Sequence, residues 1–304
     1  MNSPLISNIS IEQACRDEGL YFSVGPFIVC LHTSISSVIE GITLLYNDCS
    51  IAETTAFADY HISLQQASGI RRWYHPQVNF LFDGHRPFKP LPLNQAFPSF
   101  EWGLNWCIAN NAHQYLIIHA AVVEKNGRAV ILPAPPGSGK STLCAGLVNR
   151  GWRLFSDELA LISMKNGSLI PIPRPVNLKN DSIEIIKSFA PDAVFSQKVR
   201  DTNKGTVSLM KAPIDSVLRS SEVAEAAWVI FPHYLADAEA LLTPKPKAHA
   251  CMALAQNAFN YNVLGAQGFK VLSNLIDVSD CYEFSYSKLD EAIAAFDSLA
   301  ESLC

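Results

Sequence analysis

Residues 134–142 read Ala134-Pro135-Pro136-Gly137-Ser138-Gly139-Lys140-Ser141-Thr142. The stretch matches the pattern G-x-x-x-x-G-K-[ST], except that Ala134 stands where the pattern has its first glycine. Glycines in such a loop let successive backbone N–H groups turn towards phosphate oxygens, and the helix that follows adds its positive N-terminal end. Lys140 is then expected to reach the β- and γ-phosphates, and Ser141 to ligate Mg²⁺. The whole stretch therefore predicts a loop that binds ATP together with Mg²⁺.

The sequence on either side supplies the strand and the helix that such a loop requires. Residues 128–134 form an apolar strand before the loop, and Asn126-Gly127 joins them in a predicted hairpin to residues 115–124. After the loop, apolar residues recur at i, i+4 spacing from Lys140 onwards, and Gly151 gives that helix its C-terminal stop. A chance Gly-Ser-Gly loop is the alternative, and the matching strand and helix favour nucleotide binding over it.

Two acidic residues follow the next predicted strand. Residues 152–156 lead into Asp157 and Glu158, and Asp157 comes only 17 residues after Lys140. A loop–helix–strand unit this short delivers both carboxylates beside the phosphate loop. Paired carboxylates next to Mg²⁺ and ATP suit phosphoryl transfer, one holding metal and the other accepting a hydroxyl proton. An exposed acidic pair at a strand end is the alternative interpretation, and the adjacent loop favours the functional one.

One histidine lies in the strand that leads into the hairpin. His119 stands in the run Leu116-Ile117-Ile118-His119-Ala120-Ala121-Val122. A lone histidine in an apolar strand is more often a core residue than a functional one, and the strand alone supports no more than that.

The chain as a whole predicts two domains. Residues 1–100 contain short strands separated by turns, which predicts a smaller, mostly β N-terminal domain. Four prolines, at positions 87, 90, 92 and 98, then form a stiff passage that favours a boundary near residue 100. Residues 101–304 open with a predicted helix at 101–110 and continue as a mixed α/β domain that carries the loop. The predicted fold class is α/β within this domain and α+β overall.

Composition excludes several kinds of protein. The 304 residues are 49% apolar and carry a net charge of only −5, which excludes a disordered chain and argues against a nucleic-acid binder. No apolar run approaches the ~18 residues of a membrane span, and the N-terminus has no secretory pattern. Eight cysteines without a C-x-x-C pair indicate reduced thiols. We therefore expect a cytoplasmic protein with neither a membrane nor a nucleic acid as its partner.

Three segments together resemble the catalytic core of the HPr kinase/phosphorylase family, namely residues 119–122, 130–142 and 151–158. Three more are similar to the signature of the HPr-kinase-related proteins of the HprK-related kinase A type, whose substrate is unknown: Pro173-Arg174-Pro175-Val176-Asn177-Leu178-Lys179, Lys204-Gly205-Thr206 and Asn257-Ala258-Phe259-Asn260-Tyr261. The resemblance is strong over residues 115–300 and weak before them. It implies a P-loop kinase domain folded like those of HPr kinase and phosphoenolpyruvate carboxykinase.

The resemblance also implies roles for individual residues. Asp157 is expected to act as the general base towards a protein hydroxyl, and Glu158 to lie with Ser141 at the metal. His119 is expected beside the transferred phosphate.

Two cationic residues follow from the same resemblance. Arg174 lies in a Pro-Arg-Pro stretch, and a stiff loop there would present it to the γ-phosphate as a charge stabiliser. An ordinary surface arginine is the equal alternative. Lys204 is a further, weaker candidate for a phosphate contact.

The sequence therefore predicts an ATP-dependent serine kinase that uses Mg²⁺ and transfers the γ-phosphate to a small protein or peptide. The Ile-Arg-Gly-type segment of the true HPr kinases is missing, so the prediction does not extend to HPr itself, to reversibility or to their hexamer. A homo-oligomer is compatible with it. Two alternatives stay open: a nucleotide-binding regulatory or assembly protein without kinase activity, and a small-metabolite kinase on the same fold.

Overall fold

The computed structural model describes residues 11–52, 57–69, 73–135 and 137–301. Residues 1–10 of the predicted N-terminal domain and Pro136 of the predicted loop lie outside them. In chain order, the strands are β1 (Leu20–Val24), β2 (Phe27–Thr33), β3 (Tyr60–Gln66), β4 (Gln77–Phe82), β5 (Leu91–Pro92), β6 (Tyr115–Lys125), β7 (Arg128–Pro133), β8 (Arg153–Ser156), β9 (Leu159–Ser163), β10 (Leu169–Ile170), β11 (Val176–Lys179), β12 (Val199–Thr202), β13 (Gly205–Met210), β14 (Glu225–Tyr234), β15 (Leu241–Pro244) and β16 (Asp280–Tyr286). The helices are α1 (Ile11–Arg16), α2 (Ser36–Leu45), α3 (Ala96–Asn111), α4 (Lys140–Val148), α5 (Asp181–Phe189), α6 (Ile214–Leu218), α7 (Lys247–Gln256), α8 (Tyr261–Val278) and α9 (Leu289–Glu301).

The first five strands form one sheet, in the order β1-β2-β3-β4-β5. Strands β2 and β3 run parallel, with α2 between them in the chain, and the other neighbours are antiparallel. Apolar side chains of these strands pack against α2 and α3 in one core cluster. The N-terminal region is thus a sheet covered by helices.

Helix α3 crosses the predicted boundary at residue 100. It begins at Ala96, five residues before the predicted start at residue 101. Pro98 does not interrupt it, because a proline in the first turn has no N–H to lose from a helical hydrogen bond. Phe97 and Phe100 on this helix are buried against the N-terminal sheet, in a cluster that also contains Ile117 of β6 and Leu161 of β9. The two regions therefore share a core, and their division into two domains stays a prediction.

The central sheet has the order β10-β9-β6-β7-β14-β16-β15, and β8 pairs with β6 as well. The β6–β7 hairpin forms at Asn126-Gly127, as predicted, with both turn residues at positive φ. Strands β7, β14 and β16 run parallel to one another. The carboxyl ends of these three strands therefore meet at one edge of the sheet.

Helices cover both faces of the central sheet. Trp228 of β14 packs with α4 and α9 on one face, and the next residue, Val229, packs with α7 and α8 on the other. This alternation follows from the two-residue period of a strand that is buried on both sides. A small antiparallel sheet, β11-β13-β12, lies beside α4 and α5. The architecture is therefore mixed α/β with several sheets.

Within the described ranges, the longest helices are too short or too polar to cross a lipid bilayer.

Candidate active site

The predicted phosphate loop leaves the carboxyl end of β7 and leads directly into α4. Because β14 and β16 are parallel to β7, the strand-end residues Tyr234 and Tyr286 lie at the same edge as the loop. In open α/β sheets, ligands bind at this edge, beside the loops that follow the strands. The topology therefore places the loop at the edge where such sheets hold their ligands.

The two tyrosines hold the loop in shape. The Tyr286 hydroxyl donates a hydrogen bond to the carbonyl of Gly139 at 3.1 Å, and the Tyr234 backbone N–H donates one to the carbonyl of Ser138 at 3.0 Å. Gly139 has a φ of +86°, and an added Cβ would lie 2.5 Å from the Tyr286 hydroxyl oxygen. Position 139 therefore needs glycine both for its backbone conformation and for space. No sequence pattern identified either tyrosine as a residue of the site.

The residues of the loop differ in exposure. Ala134 and Lys140 are buried; Pro135 and Gly137 are exposed; Ser138, Gly139, Ser141 and Thr142 are half-buried. The buried Ser138 hydroxyl oxygen has no hydrogen-bond partner among the described residues. The curled loop thus leaves a polar atom available for a ligand.

Lys140 begins α4 and reaches the end of β8. Its ammonium donates a hydrogen bond to the backbone carbonyl of Asp157, and its Nζ lies 3.9 Å from Asp157 Oδ1. Only 8% of the lysine is exposed. The loop and the first carboxylate of the acidic pair are therefore in direct contact, as the spacing of the sequence indicates.

Asp157 is buried, and only one of its two carboxylate oxygens accepts hydrogen bonds within the described part of the chain. Its Oδ2 accepts hydrogen bonds from the Ser141 hydroxyl and from the Asn177 backbone N–H, each at 3.1 Å. Its Oδ1 has no hydrogen-bond donor among the described residues. Burial raises the pKa of Asp157, Lys140 opposes that shift, and Glu158 adds to it. A buried carboxylate oxygen that accepts no hydrogen bond is available to a cation or to a hydrogen-bond donor.

Mg²⁺ fits this part of the site. The ion takes oxygen ligands and is usually held by one or two carboxylates, with phosphates and waters completing its shell. Asp157 Oδ1, which accepts no hydrogen bond from the described residues, and the adjacent Ser141 hydroxyl supply such oxygens. The predicted metal pair was Ser141 with Glu158, whereas the structure brings Ser141 to Asp157.

Glu158 lies beside His119, whereas Asp157 contacts Lys140 and Ser141. Its Oε2 lies 3.5 Å from Nε2 of His119, and its side chain is 19% exposed against 2% for Asp157. Burial would raise the pKa of Glu158, but nearby cationic groups, above all Lys140, outweigh burial and lower it. Burial also lowers the pKa of His119, with Lys140 acting in the same direction. The site therefore favours an ionised Glu158 beside a neutral imidazole.

The segment 257–260 fixes His119 from the opposite side. The His119 backbone N–H donates a hydrogen bond to the Asn257 carbonyl at 2.8 Å, and the His119 ring stacks on Phe259 with centroids 5.7 Å apart. The Asn260 side chain accepts from the Ile117 N–H and donates to the Tyr115 carbonyl. This segment, whose sequence the resemblance singles out, acts as an extra edge partner of β6 and orients the histidine.

Arg174 lies at the site but is already bound. Its guanidinium donates to the Glu101 carboxylate at 2.7 Å, to the Glu101 carbonyl at 3.1 Å and to the Asn105 side chain at 3.0 Å. Glu101 also accepts a hydrogen bond from the Tyr46 hydroxyl at 2.6 Å. Glu101 raises the pKa of Arg174 and so opposes the effect of burial. Arg174 is thus a buried residue bound to α3, and the alternative interpretation as a surface arginine is wrong. Its role at the γ-phosphate stays a prediction.

Arg174 nevertheless faces the same cavity as the acidic pair. Glu101, Trp102, Asp157, Glu158, Arg174 and Asn177 all line it. Buried atoms of Arg174 (Nε) and Asn177 (Oδ1) have no partner among the described residues, as is also true of Ser138 and Asp157. Buried polar atoms without partners are rare in folded proteins, and four of the six in the described residues belong to the loop, the acidic pair and their neighbours, as expected where a polar ligand binds.

Comparisons with known proteins cover this part of the chain. A family model described as SynChlorMet cassette protein ScmC matches residues 104–228, which is less than half of the chain but includes the loop, the acidic pair and Arg174. No curated protein matches the chain. A solved HPr(Ser) kinase/phosphatase from Coxiella burnetii is 14% identical, with a TM-score of 0.29, over 61% of this chain and 98% of that one. A TM-score this low supports no inference about fold or activity, so the likeness to HPr kinases rests on the sequence motifs.

Proposed function

We propose that the chain is an ATP-dependent kinase that uses Mg²⁺ and transfers the γ-phosphate to a serine hydroxyl of a small protein or peptide. The observation that carries the proposal is the contact of a phosphate loop, through Lys140 and Ser141, with Asp157 and its neighbour Glu158. The protein or peptide nature of the acceptor is supported only by the resemblance of the motifs to HPr-kinase-related proteins.

The nucleotide would lie along the loop, with its phosphates against the backbone N–H groups and the N-terminal end of α4. Ser141 and Asp157 would hold Mg²⁺, which when bound neutralises charge on the phosphates and orients them. Lys140 would bind the β- and γ-phosphates. This assignment exchanges the expected roles of the two acids, because Asp157 contacts Ser141 and Glu158 does not.

Glu158 would then be the general base. Its carboxylate lies nearer to solvent than that of Asp157, and its lowered pKa keeps it ionised at neutral pH, the form that a general base requires. In the transfer step, the acceptor hydroxyl oxygen bonds to the γ-phosphorus while the bond to the β–γ bridging oxygen breaks. ADP leaves with that electron pair, and the hydroxyl proton passes to Glu158. His119, held at 3.5 Å, would orient the carboxylate.

A kinase accounts for more of the site than a nucleotide-dependent switch does. Binding alone needs the loop and a metal ligand, whereas a second, less buried carboxylate beside a fixed histidine is placed to accept a proton from a hydroxyl group.

Glu158→Gln tests the proposal. We expect Mg²⁺-ATP affinity within about twofold of wild type and release of label from [γ-³²P]ATP, to water or to an acceptor, slower by about 10²–10⁴-fold. Glu291→Gln, at an exposed ion pair with Lys288, is the matched control. Release of label from Glu158→Gln at the wild-type rate would contradict the assignment. Absence of any release in wild type with added cell extract would favour the nucleotide-binding switch.

A further inference from the structure

Tyr46 is a buried polar residue of the N-terminal region that the proposed mechanism does not use. It follows α2 directly, and its backbone N–H donates a hydrogen bond to the Ile42 carbonyl at 2.9 Å. Its ring packs edge-to-face against Phe22 of β1, with centroids 5.6 Å apart, and against Phe100 of α3, at 6.1 Å. Only 1% of the tyrosine is exposed. Packing on both sides therefore fixes the position of its hydroxyl group.

The hydroxyl group of Tyr46 holds one oxygen of Glu101. It donates to Oε1 of the Glu101 carboxylate at 2.6 Å, while Oε2 accepts from the Arg174 guanidinium at 2.7 Å. Glu101 is buried, so water does not compete for either oxygen. Hydrogen bonds that involve an ionised group are stronger than neutral ones. The carboxylate is thus fixed between the tyrosine and the arginine.

Both terminal nitrogens of Arg174 are bound to α3, and its third nitrogen is not. Nη2 donates to the side chain and the carbonyl of Glu101, and Nη1 donates to the Asn105 side chain. The buried Nε has no partner among the described residues, and Arg174 lines the cavity that contains Asp157 and Glu158. The guanidinium therefore keeps one N–H, at Nε, available to a group that binds in this cavity.

A short segment links the arginine to the acidic pair. Pro173 and Pro175 flank Arg174, and the ring of each proline restricts its own φ. Two residues further on, the Asn177 backbone N–H donates to Asp157 Oδ2 at 3.1 Å. The position of the guanidinium is thus set on one side by β11 and on the other by α3, where the tyrosine holds its partner.

We propose that Tyr46 is a positioning residue for phosphoryl transfer, which acts through Glu101 to hold the Arg174 guanidinium where its Nε–H meets the transferred phosphoryl group. The proposal rests on the proposed function and adds to it a part for the N-terminal region. Donors that stabilise a transition state must be held within about 0.5 Å of the productive geometry. Loss of the tyrosine hydroxyl leaves a buried Glu101 oxygen without its donor, so the carboxylate and the arginine bound to it shift.

Tyr46→Phe removes the hydroxyl group alone. We expect release of label from [γ-³²P]ATP at saturating Mg²⁺-ATP to slow by about tenfold, with Mg²⁺-ATP affinity by calorimetry within about twofold of wild type. In an Arg174→Gln background, the same change should slow release by less than about twofold, because the tyrosine acts through the arginine. Tyr60→Phe, at another buried tyrosine of the same core cluster, is the matched control and should change neither quantity.

A second variant tests the same guanidinium from its other terminal nitrogen. If the thermal unfolding midpoint of Tyr46→Phe falls well below that of wild type, Asn105→Ala takes its place. It removes the acceptor of Arg174 Nη1 at a half-buried side chain of α3. The same loss of rate without loss of affinity is expected, and the same disappearance of that loss in the Arg174→Gln background.

The outcomes distinguish this proposal from the one on which it rests. Release of label by Tyr46→Phe at the wild-type rate, or equal slowing in both backgrounds, would overturn the role of Tyr46 while leaving the proposed function intact. A loss of Mg²⁺-ATP affinity large enough to account for the slowing would do the same. Failure of wild type to bind Mg²⁺-ATP would overturn the proposed function, and the role of Tyr46 with it.

Discussion

Asp157 and Glu158 are adjacent in the chain, yet their surroundings move their pKa values in opposite directions. Burial raises the pKa of Asp157, whereas the neighbouring cations lower the pKa of Glu158. Pairs of titratable groups pushed apart in this way commonly divide the work of a catalytic site. The sequence predicts that both carboxylates are at the site, but their separate roles depend on which side chains each one meets.

Asp157→Asn tests the metal role at this scale. We expect the variant to lose most of the increase in ATP affinity that Mg²⁺ gives to wild type, because an amide is a poorer ligand for the ion than a carboxylate. The measurement is the ATP dissociation constant with Mg²⁺ and with a chelator. Glu158→Gln is the matched control and should keep the Mg²⁺ effect. A full Mg²⁺ effect in Asp157→Asn would return the metal to the predicted Ser141–Glu158 pair.

At the scale of elements, the predicted phosphate loop depends on strands that are distant in the sequence. The hairpin, the loop, α4 and the strand before Asp157 are local features, and their residue patterns predicted them. Strand β16 was not predicted, because the buried residues Cys281, Phe284 and Tyr286 break strict alternation. The hydrogen bond by which Tyr286 holds the loop was therefore not predicted either, since it joins residues 147 positions apart.

Gly139→Ala tests this contact between Tyr286 and the loop. The new methyl group would meet the Tyr286 hydroxyl in a backbone conformation that disfavours alanine, so the loop must shift. We expect at least a tenfold loss of Mg²⁺-ATP affinity by calorimetry, together with a stability loss of about 1–3 kcal/mol. Gly127→Ala is the control, because its φ of +77° carries similar strain with nothing within 4 Å. Unchanged nucleotide affinity in Gly139→Ala would show that the loop does not need its observed shape.

At the scale of the whole molecule, α3 joins the N-terminal sheet to the site. Its apolar face packs against that sheet, and its polar residues Glu101 and Asn105 hold Arg174. A sequence pattern predicted neither connection, because prolines before residue 100 favoured a connector and the partners of Arg174 lie about 70 positions away. Local motifs predict the loop, whereas the contacts that join α3 to the N-terminal sheet and to Arg174 are between residues distant in the sequence.

The shared core predicts how the molecule unfolds. We expect one cooperative thermal transition for the full chain, because Phe97 and Phe100 lie in the same cluster as Ile117 and Leu161. A fragment of residues 101–304 loses that packing and should not give a cooperative transition by calorimetry. Two separate transitions in the full chain, or a fragment that folds and binds nucleotide, would instead support two independent domains.

The central claim is that the loop at Lys140 binds a nucleotide with Mg²⁺. Calorimetric titration of Mg²⁺-ATP into wild type and Lys140→Ala tests it most directly, with Lys198→Ala as the control for a lost surface charge. We expect micromolar binding by wild type and by Lys198→Ala, and a loss of at least a hundredfold in Lys140→Ala. Absence of binding by wild type, or equal binding by Lys140→Ala, would contradict the claim.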